Sequence, residues 1–249
     1  MKRLIPILVF IFAFSAPSFA KSYVNGIDAN RQPFAYIDEK SGRPAGFDVE
    51  ALDWIAKNMG FEVKHVPIAW DAIIPTLLSK KLDMALCSGM SITMERAQQV
   101  AFSNPYRKRH NVFVVKKESD LTVAAILTEK LKLGGRRGTE KTAALVKEQK
   151  EKNLRFEVRL YDSESQMIED VISGRIHAAL MDSLPAQDAV SKGKPVRIAG
   201  VHGEPMLVGV AFRKEDTELQ ALVNEGYRKL MADPFWNALQ QKYDLKLLD

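Results

Sequence analysis

An α/β fold in two similar lobes is what this sequence predicts, and three features carry the prediction. Short β-like runs alternate with amphipathic helical stretches, which is the pattern of layered α/β proteins. A gapless internal echo joins "SKKLDMALCS" (79–88) to "SGRIHAALMD" (173–182), with Leu82 over Ile176, Ala85 over Ala179 and Leu86 over Leu180. Each copy reads as a helix end, a tight turn, a buried strand and one polar residue, Ser88 in the first and Asp182 in the second. Open α/β sheets bind ligands beyond the carboxyl ends of their strands, so two such sheets would present polar groups to a shared cleft. The competing reading is chance, because helix–turn–strand units commonly look alike.

The elements follow in order. "MKRLIPILVFIFAFSAPSFAK" has a basic tip, an apolar run and Ser18-Phe19-Ala20, the layout of a signal peptide (1–20) cut after Ala20. In "GFDVEALDWIAKNMG", Val49, Leu52, Ile55, Ala56 and Met59 share one helical face, Trp54 joins its apolar side, and Gly60 supplies the stop. "VKHVPI" is a strand, and "WDAIIPTLLSKK" a helix that tolerates Pro75 near its start. "LDMALCS" and "RIHAALMD" are strands, and "SESQMIEDVISG" is a helix burying Met167, Ile168, Val171 and Ile172. Two helices close the chain: Thr217 to Met231, opened by a capping box of Thr217 and Gln220, and Pro234 to about Tyr243.

Composition narrows the function. The 249 residues are 46% hydrophobic and 27% charged, ordinary for a globular chain. The formal charge of +5 loses Lys2 and Arg3 with the signal peptide and is too mild for a nucleic-acid partner. After residue 20 no stretch approaches the ~20 apolar residues of a membrane span. The single cysteine, Cys87, excludes an intrachain disulfide and is expected as a buried, inert thiol. His65, His110, His177 and His202 are scattered without ligand spacing, so no metal site is expected, nor a cofactor. A phosphate loop and a nucleophile elbow are both missing their glycine spacing.

The chemistry concentrates in "CSGMSITMER" (87–96). Arg96 offers a planar fork of donors suited to a carboxylate, Ser88 and Ser91 add hydroxyls, and Gly89 allows close backbone approach. Thr93, Glu95 and Arg96 equally fit the start of a surface helix with a solvated arginine. Asp182 can receive an ammonium or cap the helix that follows it. "GGRRGTE" (134–140) can hold an anion at a helix start or serve as a flexible turn. Trp70 begins a helix and is a candidate cleft wall.

Taken together, "PFAYIDEKSGRPAGFDVEAL", "IPTLLSKKLDMALCSGMSITMERAQQVAFSNPY" and "GVAFRKEDTELQ" resemble the periplasmic solute-binding proteins of the polar amino acid family, which serve ABC importers. The resemblance spans the mature chain and implies a type II periplasmic binding protein fold. That is two Rossmann-like lobes (21–109 plus 206–249, and 110–205), a two-strand hinge, and a monomer that closes around one amino acid for delivery to a membrane permease. It implies that Arg96 holds the ligand α-carboxylate, aided by Ser91 and the backbone around Thr139 and Glu140. Asp182 and Gly89 would take the α-ammonium, and Asp28 and Trp70 would line the pocket. Departures from the family pattern are Arg31 for a usual aromatic, Glu140 for the second small residue of a turn, and His177 for a usual aspartate at what reads as a structural position. Arg31 and Arg136, both at side-chain contacts, would favour an acidic ligand, whereas Glu140 argues the other way. Two other functions fit the resemblance. One is an enzyme like the cyclohexadienyl dehydratases, with Glu140 or Glu204 as general acid; the other is a ligand-sensing partner of a receptor.

Overall fold

A computed structural model describes residues 20–245, apart from the side chains of Cys87 and Ser88. The signal-peptide expectation therefore lies, but for Ala20, outside the described residues, as does the expected burial of the Cys87 thiol. The chain begins with β1 (Lys21–Ile27), then a small sheet of β2 (Asn30–Arg31), β3 (Ala35–Ile37) and β4 (Pro44–Ala45), then α1 (Phe47–Met59) and β5 (Phe61–Pro67). A single 3-10 turn (Trp70–Ala72) leads into α2 (Ile73–Leu78), β6 (Met84–Ser91), α3 (Met94–Ala97), β7 (Ala101–Phe102) and β8 (Arg107–Arg109). The second lobe holds β9 (Asn111–Lys116), α4 (Val123–Thr128), β10 (Lys132–Arg136), α5 (Glu140–Glu151), β11 (Glu157–Tyr161), α6 (Glu164–Ile172), β12 (Ala178–Asp182), α7 (Ser183–Ser191) and β13 (Val196–Val201). The chain then returns to the first lobe with β14 (Met206–Phe212), α8 (Thr217–Ala232) and α9 (Pro234–Lys242). Among the described residues no helix is long and apolar enough to cross a membrane.

Each lobe is a mixed sheet covered by helices. The first sheet runs β5-β1-β6-β14, with β7 and β8 both on the far side of β14; the second runs β11-β10-β12-β9-β13. The main core of the first lobe packs α1 against α8 and α9, with Phe47 meeting Trp236 at 5.2 Å between ring centroids. Trp54 is only partly buried and stacks on Phe235 at the margin of that core. The capping box expected at Thr217 is not formed: Asp216 precedes the helix, and the Gln220 amide instead donates to the Phe102 carbonyl. That contact ties α8 to β7, a tertiary partner a local pattern does not reveal.

The internal echo has a structural counterpart. β6 and β12 hold the same place in their sheets, each parallel to one neighbour (β1, β10) and antiparallel to the other (β14, β9). Lys80 and Gly174, which align in the echo, both turn through left-handed backbone, at φ 64° and 76°. Asp83 accepts a hydrogen bond from the Val24 N–H at 2.8 Å, and its aligned partner His177 accepts one through Nδ1 from the Lys132 N–H at 3.0 Å. His177 is thus a structural replacement for a carboxylate, holding the start of β10 as Asp83 holds β1.

The same correspondence explains two glycines. A Cβ at Gly26 would lie 2.5 Å from Leu82 Cδ1, and one at Gly134 would lie 2.6 Å from Ile176 Cδ1. Leu82 and Ile176 are the aligned first apolar residues of the echoed strands, and each packs where its neighbouring strand has no side chain. Gly134→Ala should therefore cost about 1–3 kcal/mol through overpacking. Ile176→Val removes the obstructing atom and should recover part of that loss in a double-mutant cycle read by denaturant titration. Strictly additive losses would show that Ile176 is not the obstacle.

Candidate functional site

The cleft between the lobes is lined from both sides by charged side chains that the strands and helix starts deliver. Thr93 caps α3 by accepting from the Arg96 N–H at 3.2 Å, so the segment does start a helix, but its arginine is not solvated. Arg96 is 9% exposed; it donates to the Ser91 carbonyl at 3.2 Å and pairs with Glu140 of the opposite lobe at 3.1 Å. Ser91 Oγ donates to the other Glu140 oxygen at 3.0 Å, and Arg109 donates to both Ser91 Oγ and Glu140. Burial alone would raise the Glu140 carboxyl, but Arg109, Lys141 and Arg96 outweigh it and hold it well below the usual carboxylate range. Glu140 also begins α5, where the helix dipole favours an anion.

Asp182 takes one of the two roles expected of it, the helix cap. It ends β12 and caps α7, its Oδ1 accepting from the Leu184 N–H at 3.1 Å. Its Oδ2 faces three guanidinium groups: Arg107 at 3.3 Å, Arg31 at 3.5 Å and Arg109 at 3.7 Å. Burial opposes ionisation of this fully enclosed carboxyl, yet Arg107, Arg109 and Arg31 hold it at about 2. An ammonium receptor was expected here, but both oxygens are engaged by the protein itself.

Arg31 and Arg136 are buried and paired. Arg31 meets Glu164 at 3.3 Å, and Arg136 reaches across the cleft to Asp28 at 2.5 Å. Arg136 also donates to the Asp162 carbonyl at 3.0 Å. The premise of the acidic-ligand expectation, two cations in need of a partner, is therefore removed. Trp70 is a wall: its Nε1 donates to the Gly138 carbonyl of the other lobe at 2.9 Å, and its ring lies 5.4 Å from the Arg96 guanidinium and 5.8 Å from that of Arg136.

Gly89 and Thr139 have local explanations. Gly89 has φ 71°, and a Cβ there would meet Val208 Cγ2 at 2.7 Å and Tyr106 Oη at 2.9 Å, so left-handed backbone and close packing both require glycine. The Thr139 hydroxyl donates to the Arg136 carbonyl at 2.8 Å and lies 2.9 Å from Thr142 Oγ1, closing the turn before α5. Ser88 is placed on β6 by its backbone, and its side chain lies outside the described residues.

Four participants escaped the sequence reading: Arg107, Arg109, Lys141 and Glu164. "RKR" at 107–109 puts two arginines at strand period on one face, a legible signal; Glu164 and Lys141 follow helix starts and carried none. Lys141 is 3% exposed and, among the described residues, has no carboxylate within ion-pair distance. Burial, then Arg109, lowers it from an ordinary 10.5 to about 7, against the pull of Glu140 and Glu164. Between about pH 7 and pH 10 the unfolded chain then binds a proton that the folded chain lacks, so stability rises with pH across that window. Lys141→Met should flatten the rise in denaturant titrations at several pH values. Equal slopes in variant and parent would show Lys141 fully charged when folded.

The bilobal mixed α/β frame with its interlobe cleft is the type II periplasmic binding protein fold, and comparison with known proteins identifies the family. The model of the bacterial extracellular solute-binding proteins, family 3, matches residues 23–246, and the chain belongs to that family. It is 28% identical to the histidine-binding periplasmic protein of Escherichia coli K12 over 98% of this chain and 97% of that one. It is 32% identical to the L-arginine-binding protein of Pseudomonas aeruginosa, covering 92% of this chain and 91% of that one. A solved ancestral amino acid-binding protein, described as a precursor of cyclohexadienyl dehydratase, superimposes with a TM-score of 0.80 at 30% identity, over 89% of this chain and 95% of that one.

Proposed function

We propose that this protein captures a free amino acid outside the cytoplasmic membrane and delivers it to an ABC importer. In this reading the chain is exported by cleavage after Ala20, acts as a monomer, and closes its lobes (21–109 plus 206–249, and 110–205) around the solute. One observation carries the proposal: Arg96, Ser91 and Arg109 converge on a single carboxylate, that of Glu140. A receptor that holds one carboxylate by a guanidinium and a hydroxyl suits the α-carboxylate of an amino acid equally well. The solute then enters by partner exchange. Its carboxylate takes the Glu140 place on Arg96, and Glu140, turned aside, receives the ammonium. A zwitterion inserted into an ion pair leaves the charge of the cleft unchanged, so neither partner is left buried alone. Asp182 serves in this scheme as the anchor of Arg31, Arg107 and Arg109, which hold the receptor in place.

The dehydratase reading needs a general acid over the substrate. Glu140 is held ionised by its arginines and has no proton to give at neutral pH, and Glu204 is exposed in the segment between β13 and β14. Family membership and the carboxylate receptor both favour capture over chemistry. Truncating one partner of a buried charge pair costs roughly 2–5 kcal/mol. At ~1.4 kcal/mol per tenfold change, Arg96→Ala should weaken binding of the cognate amino acid at least ~30-fold in calorimetric titration. Near-native affinity in a folded Arg96→Ala protein would overturn the assignment.

A further inference from the structure

We propose that the solute carries a neutral, apolar side chain, lodged in the cavity between Trp70 and α5, and that Arg136 excludes basic amino acids from the cleft. This deepens the amino-acid reading and rests on it. The first observation is the fate of an acid–aromatic corner of the cleft. Asp28, 1% exposed, follows β1, and its carboxylate and the Trp70 ring both face one point, a setting that suits a cation. Arg136 occupies it from the opposite lobe, its guanidinium 2.5 Å from Asp28 and 5.8 Å from the Trp70 ring centroid. The chain's own guanidinium thus fills the position that the side chain of a basic solute would need.

The remaining charges reinforce the exclusion. Among the described residues, the buried carboxylates of the region are Asp28 with Arg136, Glu164 with Arg31, Glu140 with Arg96 and Arg109, and Asp182 with Arg31, Arg107 and Arg109; Asp48 beneath them accepts from Tyr106. Partner exchange at Arg96 and Glu140 accommodates one carboxylate and one ammonium. Within the buried cleft a second cation on the solute would find only carboxylates already paired, and its dehydration there would go unrewarded; the carboxylates of Asp71 and Glu95, which line the outer cavity, are exposed to water.

The second observation is where free space remains. A cavity of about 820 Å³ opens from the Arg96–Glu140 pair toward the surface, between the lobes. Its apolar walls are Trp70, Ile74 and Met90 on one side and Ala143, Val146 and Leu160 on the other, and the exposed Asp71, Glu95, Lys147, Lys150 and Glu151 also line it. That volume falls within the roughly 300–1,000 Å³ usual for small-molecule sites, and the mixture of apolar walls with a polar end is the usual one. A solute holding Arg96 and Glu140 has its side chain directed into this space, where burying apolar surface is the available gain.

Calorimetric titration of the mature chain with L-phenylalanine, L-leucine, L-arginine and L-glutamate tests the proposal. Phenylalanine or leucine should bind at least ~10-fold tighter than arginine or glutamate. Val146→Asp places a charge on the cavity wall at a half-buried position and should weaken the apolar ligand at least ~10-fold with the melting temperature unchanged. Arg136→Leu frees Asp28 and should raise arginine affinity at least ~10-fold. Should Arg136→Leu fail to fold, the parent panel and Val146→Asp still decide. Arginine or glutamate binding as tightly as the apolar amino acids, or an unchanged affinity in Val146→Asp, would overturn the side-chain assignment and leave amino-acid capture standing. No binding by any of the common amino acids would overturn both.

Discussion

Arg109 spans the two carboxylates on which the cleft depends, Glu140 at the start of α5 and Asp182 at the end of β12. A buried guanidinium is tolerable only when carboxylates and polar groups surround it, and a carboxylate stripped of its arginine becomes an uncompensated charge costing about 3–5 kcal/mol. Arg31, Arg107 and Arg136 are bound by the same requirement, each within a few per cent of complete burial. Their partners stand on the opposite lobe: Arg31, Arg107 and Arg109 face Asp182, Arg96 faces Glu140, and Arg136 faces Asp28. Contact between the lobes and charge neutralisation therefore coincide in this structure, which is why the proposed solute enters by exchange rather than by filling a neutral hollow.

The scaffold that presents these charges is a repeated unit. In each lobe a parallel strand pair, a left-handed turn and a glycine opposite an aliphatic residue bring one strand to the cleft: β6 in the first lobe, β12 in the second. What differs is the chemistry at the strand ends. β6 continues into Ser91 and, through the Thr93 cap, to Arg96, whereas β12 stops at an aspartate that also caps the next helix. The lobes are alike in frame and opposite in the charge they carry at these two strand ends.

Much of this was legible beforehand. The helical face of α1, its Gly60 stop, the strand and helix order, and the aligned segments at 79–88 and 173–182 follow from periodicity and turn residues, which act within a few positions of one another. Arg96, Asp182, Glu140, Arg136, Asp28 and Trp70 were recognisable as cleft residues because they sit at strand ends, helix starts or family motif positions. The partnership of Gln220 with β7 and the crowding around Gly89 were not legible, since Phe102, Tyr106 and Val208 approach them only through the fold.

By itself the sequence determined two α/β lobes and marked Arg96 and Asp182 as charged residues of opposite sign at their strand and helix ends, because each depends on local pattern or on residues inside a family motif. The tertiary structure alone decided which charges remain available. Asp28 and Arg136, Arg31 and Asp182, or Arg109 and Glu140 lie far apart along the chain, and nothing local to either member reveals that the other neutralises it. Two arginines that read as an invitation to an acidic solute are, once folded, the partners of the protein's own acids. Burial enforces that outcome: a charge removed from water must find its counter-charge in whatever the fold brings near.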